Sequence, residues 1–399
     1  MNFLFIHFSE AVAGIVGRAD ILAAIFFLLA LLAFTKHTKM RDKRSLPSNN
    51  YLSEQTPTFN ALINEYEYDR NGNFANKKPV KDHAIAGGDG LRLVLLEPYF
   101  LMTVIFASCA MFSKEQGVTV LGVCFLMDLL PNNNHNKGQK RRRLQQQQQK
   151  SQKKSTLICL VIATLSLLAL RGRLMGFSPP KFAKADNPAS ASDSMLCRGL
   201  TLAFLPAFNF WLMLCPTQLS FDWSMDAIPL ITTWWDVRNL GSVAFYVGLA
   251  ITMIKASHKK SILVAFAVML MSFLPATNLL FYVGFVVAER VLYIPSVGLC
   301  LLLGTVISKG YYQQRPAATA FFTTKMAFIL FTTILLACYG LKTWNRNYDW
   351  KNEEQLYRSG ISVNPAKGKQ TADTAGQSKI SFFHLKKGST YSSVQADEM

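Results

Sequence analysis

The chain has 399 residues, half of them apolar and only 17% charged, with a net charge of +18. Several apolar runs approach or exceed the roughly 17–25 residues that cross a bilayer, which excludes an ordinary water-soluble domain and points to an all-α polytopic membrane protein. Lys and Arg gather in the connectors between those runs, as the positive-inside bias requires, so the basic balance is no sign of nucleic-acid binding.

Residues 1–34 read as a luminal entry and a first span. Glu10, Gly14, Gly17 and Arg18 lie at helical spacing, Asp20 comes next, and the apolar run occupies 21–34. Charges at the start of a span belong at a membrane face or against protein. Met1 to His7 lacks the basic n-region of a cleavable signal peptide, and Glu10, Arg18 and Asp20 interrupt the residues beyond it. Residues 35–92 are polar and carry Lys36, Lys39, Arg41, Lys43 and Arg44, which predicts a cytosolic disordered loop. Residues 93–130 form a two-span hairpin around the charged turn of Ser113, Lys114, Glu115 and Gln116. Residues 131–155 are Asn-rich, then basic, then Gln-rich, and read as a second cytosolic low-complexity loop. A span over 156–170 completes this half of the chain.

Residues 171–239 read as a luminal cap. Within it, 200–215 holds Pro206 and Asn209 and, at about sixteen residues, is marginal for spanning. If it spanned, Lys255, Lys259 and Lys260 would fall on the non-cytosolic side. A re-entrant or interfacial path keeps the charge rule intact, and backbone of that kind is tolerated where protein surrounds it. Residues 240–341 then supply four spans, making about eight in all and leaving both termini luminal. In 342–366, Trp350, Glu353, Leu356 and Tyr357 recur at three and four, giving a partial tetratricopeptide-like helix, and 367–399 is a polar, disordered tail.

Three charged turns converge on the luminal side: Glu10 with Arg18 and Asp20, Lys114 with Glu115, and Glu289 with Arg290. One reading is a polar site in which Arg290 and Lys114 hold a phosphate, Arg as a forked donor and Lys as a compact charge. The other is a set of interfacial charges neutralising one another at helix ends. Asp222 and Asp226 are spaced to share a helix face and could hold a cation, but the spacing alone is weak and no metal site is assigned. Trp211, Trp223, Trp234 and Trp235 fit an aromatic interface belt, with sugar or lipid stacking as the lesser reading. The seven Cys show no CxxC pair and no even framework; Cys197 and Cys215 bracket one apolar run, and two free thiols are the simpler reading.

These motifs occur together in a known order: residues 7–20 (HFSEAVAGIVGRAD), 114–120 (KEQGVTV), 186–189 (DNPA), 221–226 (FDWSMD), 273–278 (FLPATN) and 288–293 (AERVLY). They resemble the transmembrane and tetratricopeptide-repeat-containing (TMTC) family over nearly everything from Glu10 to Ala366, apart from the two low-complexity loops. That resemblance implies a GT-C-like fold in the endoplasmic reticulum membrane. It also implies O-mannosyl transfer from dolichyl-phosphate mannose, a membrane lipid donor, to Ser/Thr of a luminal, cadherin-like protein acceptor. Members carry a catalytic acid in a luminal loop after their first span, and a luminal repeat array. This chain opens at the end of that region and leaves the pattern near Lys367, so the expectation is a shortened chain without its base or its repeats. No catalytic residue is therefore assigned. Arg290 and Lys114 are the phosphate candidates, with Glu10, Arg18, Asp20, Glu115, Asp222, Asp226 and Glu289 as polar support. No cofactor is implied beyond the donor. The rival reading is a non-catalytic membrane interaction protein of the reticulum.

Overall fold

The computed structural model describes residues 9–14, 17–44, 91–92, 94–130, 141–177, 182, 186–224, 227–257, 259–312 and 318–364. The expectations for most of the first loop, for Asp226 and for the tail over 367–399 lie outside these residues. Among the described residues there are helices and no strand. They are α1 (Ser9–Ala13), α2 (Arg18–Arg44), α3 (Pro98–Ser113), α4 (Thr119–Leu129), α5 (Arg141–Leu174), α6 (Pro188–Ala191) and α7 (Met195–Leu214). After them come α8 (Arg238–Ala256), α9 (Lys260–Phe273), α10 (Tyr293–Tyr312), α11 (Ala318–Asp349) and α12 (Glu353–Val363). Short 3-10 turns at Glu115–Val118, Leu274–Ala276 and Glu289–Leu292 join some of them.

Five helices among the described residues are long and apolar enough to cross a membrane: Arg18–Lys43, Gln149–Leu174, Met195–Leu214, Arg238–Ala256 and Glu289–Ser308. Pro98–Ser113 and Lys260–Ala276 are shorter apolar helices. Large apolar side chains such as Leu32, Leu165, Val243, Ile254 and Leu330 stand more than half exposed. Such outward faces suit lipid, since a hydrophobic helix surface left in water at this scale would be an aggregation hazard.

Local chemistry sets the helix ends. Pro98 opens α3 and the Glu97 carboxylate accepts the Phe100 N–H at 2.9 Å, meeting one of the N–H groups that a helix start leaves unpaired. Asn352 caps α12 in the same way through Gln355, at 2.8 Å. The main core lies between α2, α3 and α4, where Phe27, Phe34, Phe100, Met111 and Leu121 pack among Ala23, Ala30 and Ala107. The small residues let the helix backbones approach closely.

Two sequence-derived boundaries are corrected. Helix α2 runs on to Arg44, ten residues into the stretch read as a loop from residue 35. Its buried stripe continues through Ala30, Phe34, His37 and Arg41, so the basic residues there belong partly to a packed face. Arg41 grips Asp128 of α4 with two bonds of 2.6 and 2.8 Å and reaches Thr156 of α5 at 3.3 Å, while His37 Nδ1 lies 2.7 Å from Glu97. Likewise α5 begins at Arg141, inside the second low-complexity stretch, and its span is continuous with that basic start.

Helix α7 is also longer than read: twenty residues, from Met195 to Leu214, unbroken through Pro206. By length and composition it is one of the helices able to cross a membrane, where the run of about sixteen residues over 200–215 is marginal. Near its start, Thr201 accepts the Ile231 N–H at 2.9 Å, and Phe204 lies beneath Arg238, at the opening of α8. At its end, the Tyr339 hydroxyl donates to the Leu214 carbonyl, and Lys342 donates to the Thr217 carbonyl at 2.9 Å, near the close of α11. These contacts tie the first half of α7 to the cap and the opening of α8, and its last turn to α11.

Candidate lipid-phosphate site

The charged turns predicted to converge do so, and the local backbone explains why. Gly17 ends the turn between α1 and α2. A Cβ there would come within 2.2 Å of the Ala11 backbone, so only glycine lets α1 fold back along α2. That fold brings Glu10 beside Asp20. Gly117 does the same for the turn after α3, where a Cβ would meet the Ala110 backbone at 2.3 Å. Gln116 then ties that turn down, donating to the Ser272 and Val291 carbonyls, which sets Lys114 against the Glu289–Leu292 turn.

Within this cluster, Glu10 is nearly buried. It accepts the Arg290 backbone N–H at 3.0 Å and lies 3.6 Å from the Arg290 guanidinium. Burial raises its carboxyl above the ordinary glutamate range, with Arg290 pulling the other way. Asp20 is buried and pairs with Lys114, and its second oxygen has no partner among the described residues. Arg290 and Lys114 keep 34% and 21% of their side chains exposed, which leaves donors for a ligand. At the rim, Arg171 pairs with an exposed Glu115. Arg18 is exposed on the first turn of α2.

The remaining candidates lie apart from these four. Glu289 turns inward, fully buried, and accepts the Ser220 N–H at 2.6 Å and the Trp223 indole N–H at 3.1 Å. It pins the cap loop rather than facing solvent, while its neighbour Arg290 faces out. Asp222 closes a turn on Ser224, accepting its N–H and its hydroxyl, both at 2.9 Å. Trp223 is buried between Phe208 and Glu289, whereas Trp211, Trp234 and Trp235 are exposed as a belt requires. All seven cysteines are free. Among the described residues no group of three or more His, Cys, Asp or Glu could hold a metal ion.

Sequence reasoning missed one pairing. Asn187 and Asn278, from two of the recognised motifs, bond side chain to side chain at 2.9 Å. Asn278 adopts a left-handed backbone (φ 59°) and its side-chain oxygen accepts the Val283 N–H at 2.9 Å, which shapes the loop leading to Glu289. The last helix is not left alone either. In α12, Tyr357 meets Phe221 edge to face at 5.2 Å, and Asn364 donates to the Asp222 carbonyl at 3.0 Å. Helix α12 is thereby docked on the cap.

Residues 176–250, the cap and the start of α8, match the family profile described as "Protein O-mannosyl-transferase TMTC, DUF1736". The chain is 36% identical to the human protein O-mannosyl-transferase TMTC2 over 94% of its own length and 46% of that protein's. It is 32% identical to human TMTC4 over 92% of this chain and 45% of the relative, and 28% identical to Tmtc1 of Drosophila melanogaster over 90% and 43%. No solved structure matches. The chain spans about half the length of these curated relatives. Over the membrane region that it shares with them, the chain belongs to the TMTC protein O-mannosyl-transferase family.

Proposed function

We propose that this chain forms the donor-holding membrane part of a protein O-mannosyltransferase of the endoplasmic reticulum. Mannose would pass from dolichyl-phosphate mannose to a Ser/Thr hydroxyl of a luminal, cadherin-like acceptor. The observation that carries the reading is the meeting of Arg290 and Lys114, both part exposed, beside the buried carboxylates Glu10 and Asp20. In the transfer, the glycosidic bond to phosphate breaks as the hydroxyl oxygen bonds to the sugar carbon, and negative charge builds on the departing lipid phosphate. Cationic donors fixed beside that phosphate stabilise the charge without having to reorganise. Glu10 and Asp20 hold the two cations in place. A carboxylate must take the hydroxyl proton, and no residue is assigned to that role. The charge pattern of the connectors supports a luminal position for the cluster and for both termini.

A second reading, a non-catalytic membrane interaction protein, draws on the balance of the cluster, in which each cation already has a carboxylate. Photo-crosslinking with a dolichyl-phosphate analogue separates the two. Labelling that falls in Arg290→Ala and Lys114→Ala supports a phosphate site. A chain that takes no label while folded supports the interaction protein.

A further inference from the structure

We propose that a second oxyanion site lies between the ends of α11 and α12, and that it takes the phosphoryl head of a phosphate monoester. A cavity of about 220 Å³ opens there, lined in part by Thr217, Lys342, Asn345, Arg346, Asp349 and Ser359. Arg346 is the reason to see more in it than a crevice. Only 4% of the residue is exposed, yet its Nε and Nη2 have no hydrogen-bond partner among the described residues. Its Nη1 alone is used, donating to Asp349 at 2.9 Å and to the Ser359 hydroxyl at 3.4 Å. A buried guanidinium left with unmet donors is costly, and a planar fork is suited to two oxygens of one phosphate. Lys342, one turn earlier, spends one donor on the Thr217 carbonyl and has two more.

Two cations, Lys342 and Arg346, face Asp349 here, and Arg346 also lies within electrostatic reach of the buried Glu289, so it is the unmet donors and the second cation that suit the cavity to an anion. Asn345 adds an amide donor at its edge. The cavity is several times the volume of a water molecule, about 30 Å³, which leaves room for a phosphate and the first atoms of its ester. None of these groups belongs to the Arg290 cluster, and the two sites are separable by mutation.

The test is titration of the detergent-solubilised full chain with inorganic phosphate, monitored by ³¹P line broadening and by fluorescence of Trp344 and Trp350. Saturable binding is expected. Measured in an Arg290→Gln background, which removes the first phosphate candidate, it should weaken at least about tenfold on adding Arg346→Gln or Lys342→Gln. Asp349→Asn releases Nη1 and removes the competing charge, so it should tighten binding several-fold, a gain that misfolding cannot imitate. Two further ligands identify the source: glycerol phosphate saturating at lower concentration supports a soluble ester, and a short polyprenyl phosphate in micelles doing so supports a lipid. The proposal is overturned if phosphate fails to saturate, if binding is lost in Arg290→Gln but kept in Arg346→Gln, or if Asp349→Asn weakens it.

Discussion

The indole N–H of Trp223 donates to the buried carboxylate of Glu289 at 3.1 Å, and the Ser220 backbone N–H shares the same oxygen at 2.6 Å. One acid thus fastens the cap loop to the turn that presents Arg290. Replacing Glu289 with Ala strands both donors in a buried place, at about 1–3 kcal/mol for each. Glu289→Ala should lower the thermal midpoint and redshift Trp223 emission, while Glu289→Gln, which keeps an acceptor oxygen, should lose markedly less. Equal losses would remove the hydrogen bonds as the cause.

Asp20 and Lys114 make the sharper test of the phosphate reading. In Asp20→Asn the ammonium loses its counter-charge and is freed for a ligand, so crosslinking to a dolichyl-phosphate analogue should rise several-fold. In Lys114→Ala it should fall. If Asp20→Asn and Lys114→Ala move labelling in the same direction, the pair acts only as a structural tie.

At the other end of the bundle, Arg41 and Asp128 form a buried two-pronged pair. Removing one partner leaves the other charged and unpaired, at about 3–5 kcal/mol. Arg41→Met and Asp128→Leu should each destabilise strongly, and the double variant should recover much of the loss. A double-variant cycle read by thermal unfolding checks this; additive losses would count against coupling.

Gly360 lies under the Phe221 ring, and a Cβ there would stand 2.4 Å from Phe221 Cε1. Gly360→Val should therefore lift α12 from the cap and expose the α11–α12 connection to protease. Phe221→Ala should restore the protection in part, because it opens the space the new methyls need.

Glu10 carries a pH dependence. Its folded carboxyl is raised above the ordinary range, chiefly by burial. A group that holds its proton more tightly when folded favours the fold at low pH. That contribution is present below the unfolded value and is lost as pH rises through the folded one. Glu10→Gln should flatten this part of the stability profile, measured as thermal midpoint against pH from the mildly acidic range to neutrality. A profile unchanged by the substitution would assign the slope elsewhere.

The helical character of the fold was legible because apolar runs announce helices, and among the described residues helices stand along the expected runs, five of them long and apolar enough to cross a membrane. The hinge-like turns were legible too: Glu10, Asp20, Lys114 and Arg290 sit where runs of apolar residues stop, which is where charges gather. What sequence could not give was partnership. Arg41 and His37 read as loop residues because a cluster of basic residues ordinarily seeks water. Only the buried Asp128 and Glu97, each distant in the chain, turn them into a packed face. Asp128 was the available signal, an acid inside an apolar run. Glu289 and Arg290 adjoin in sequence yet face opposite ways, since a short turn of 3-10 helix separates neighbours by about a third of a circle. Arg346 gave no signal at all, because its burial depends on α12 folding back over it.

The length of α7 also bears on parity. A twenty-residue apolar helix is long enough to cross, and each crossing inverts the side of everything after it. Reporters placed at Ser192 and at Thr217 give opposite answers if α7 crosses and the same answer if it follows the re-entrant path. This one helix therefore decides the side of every later loop.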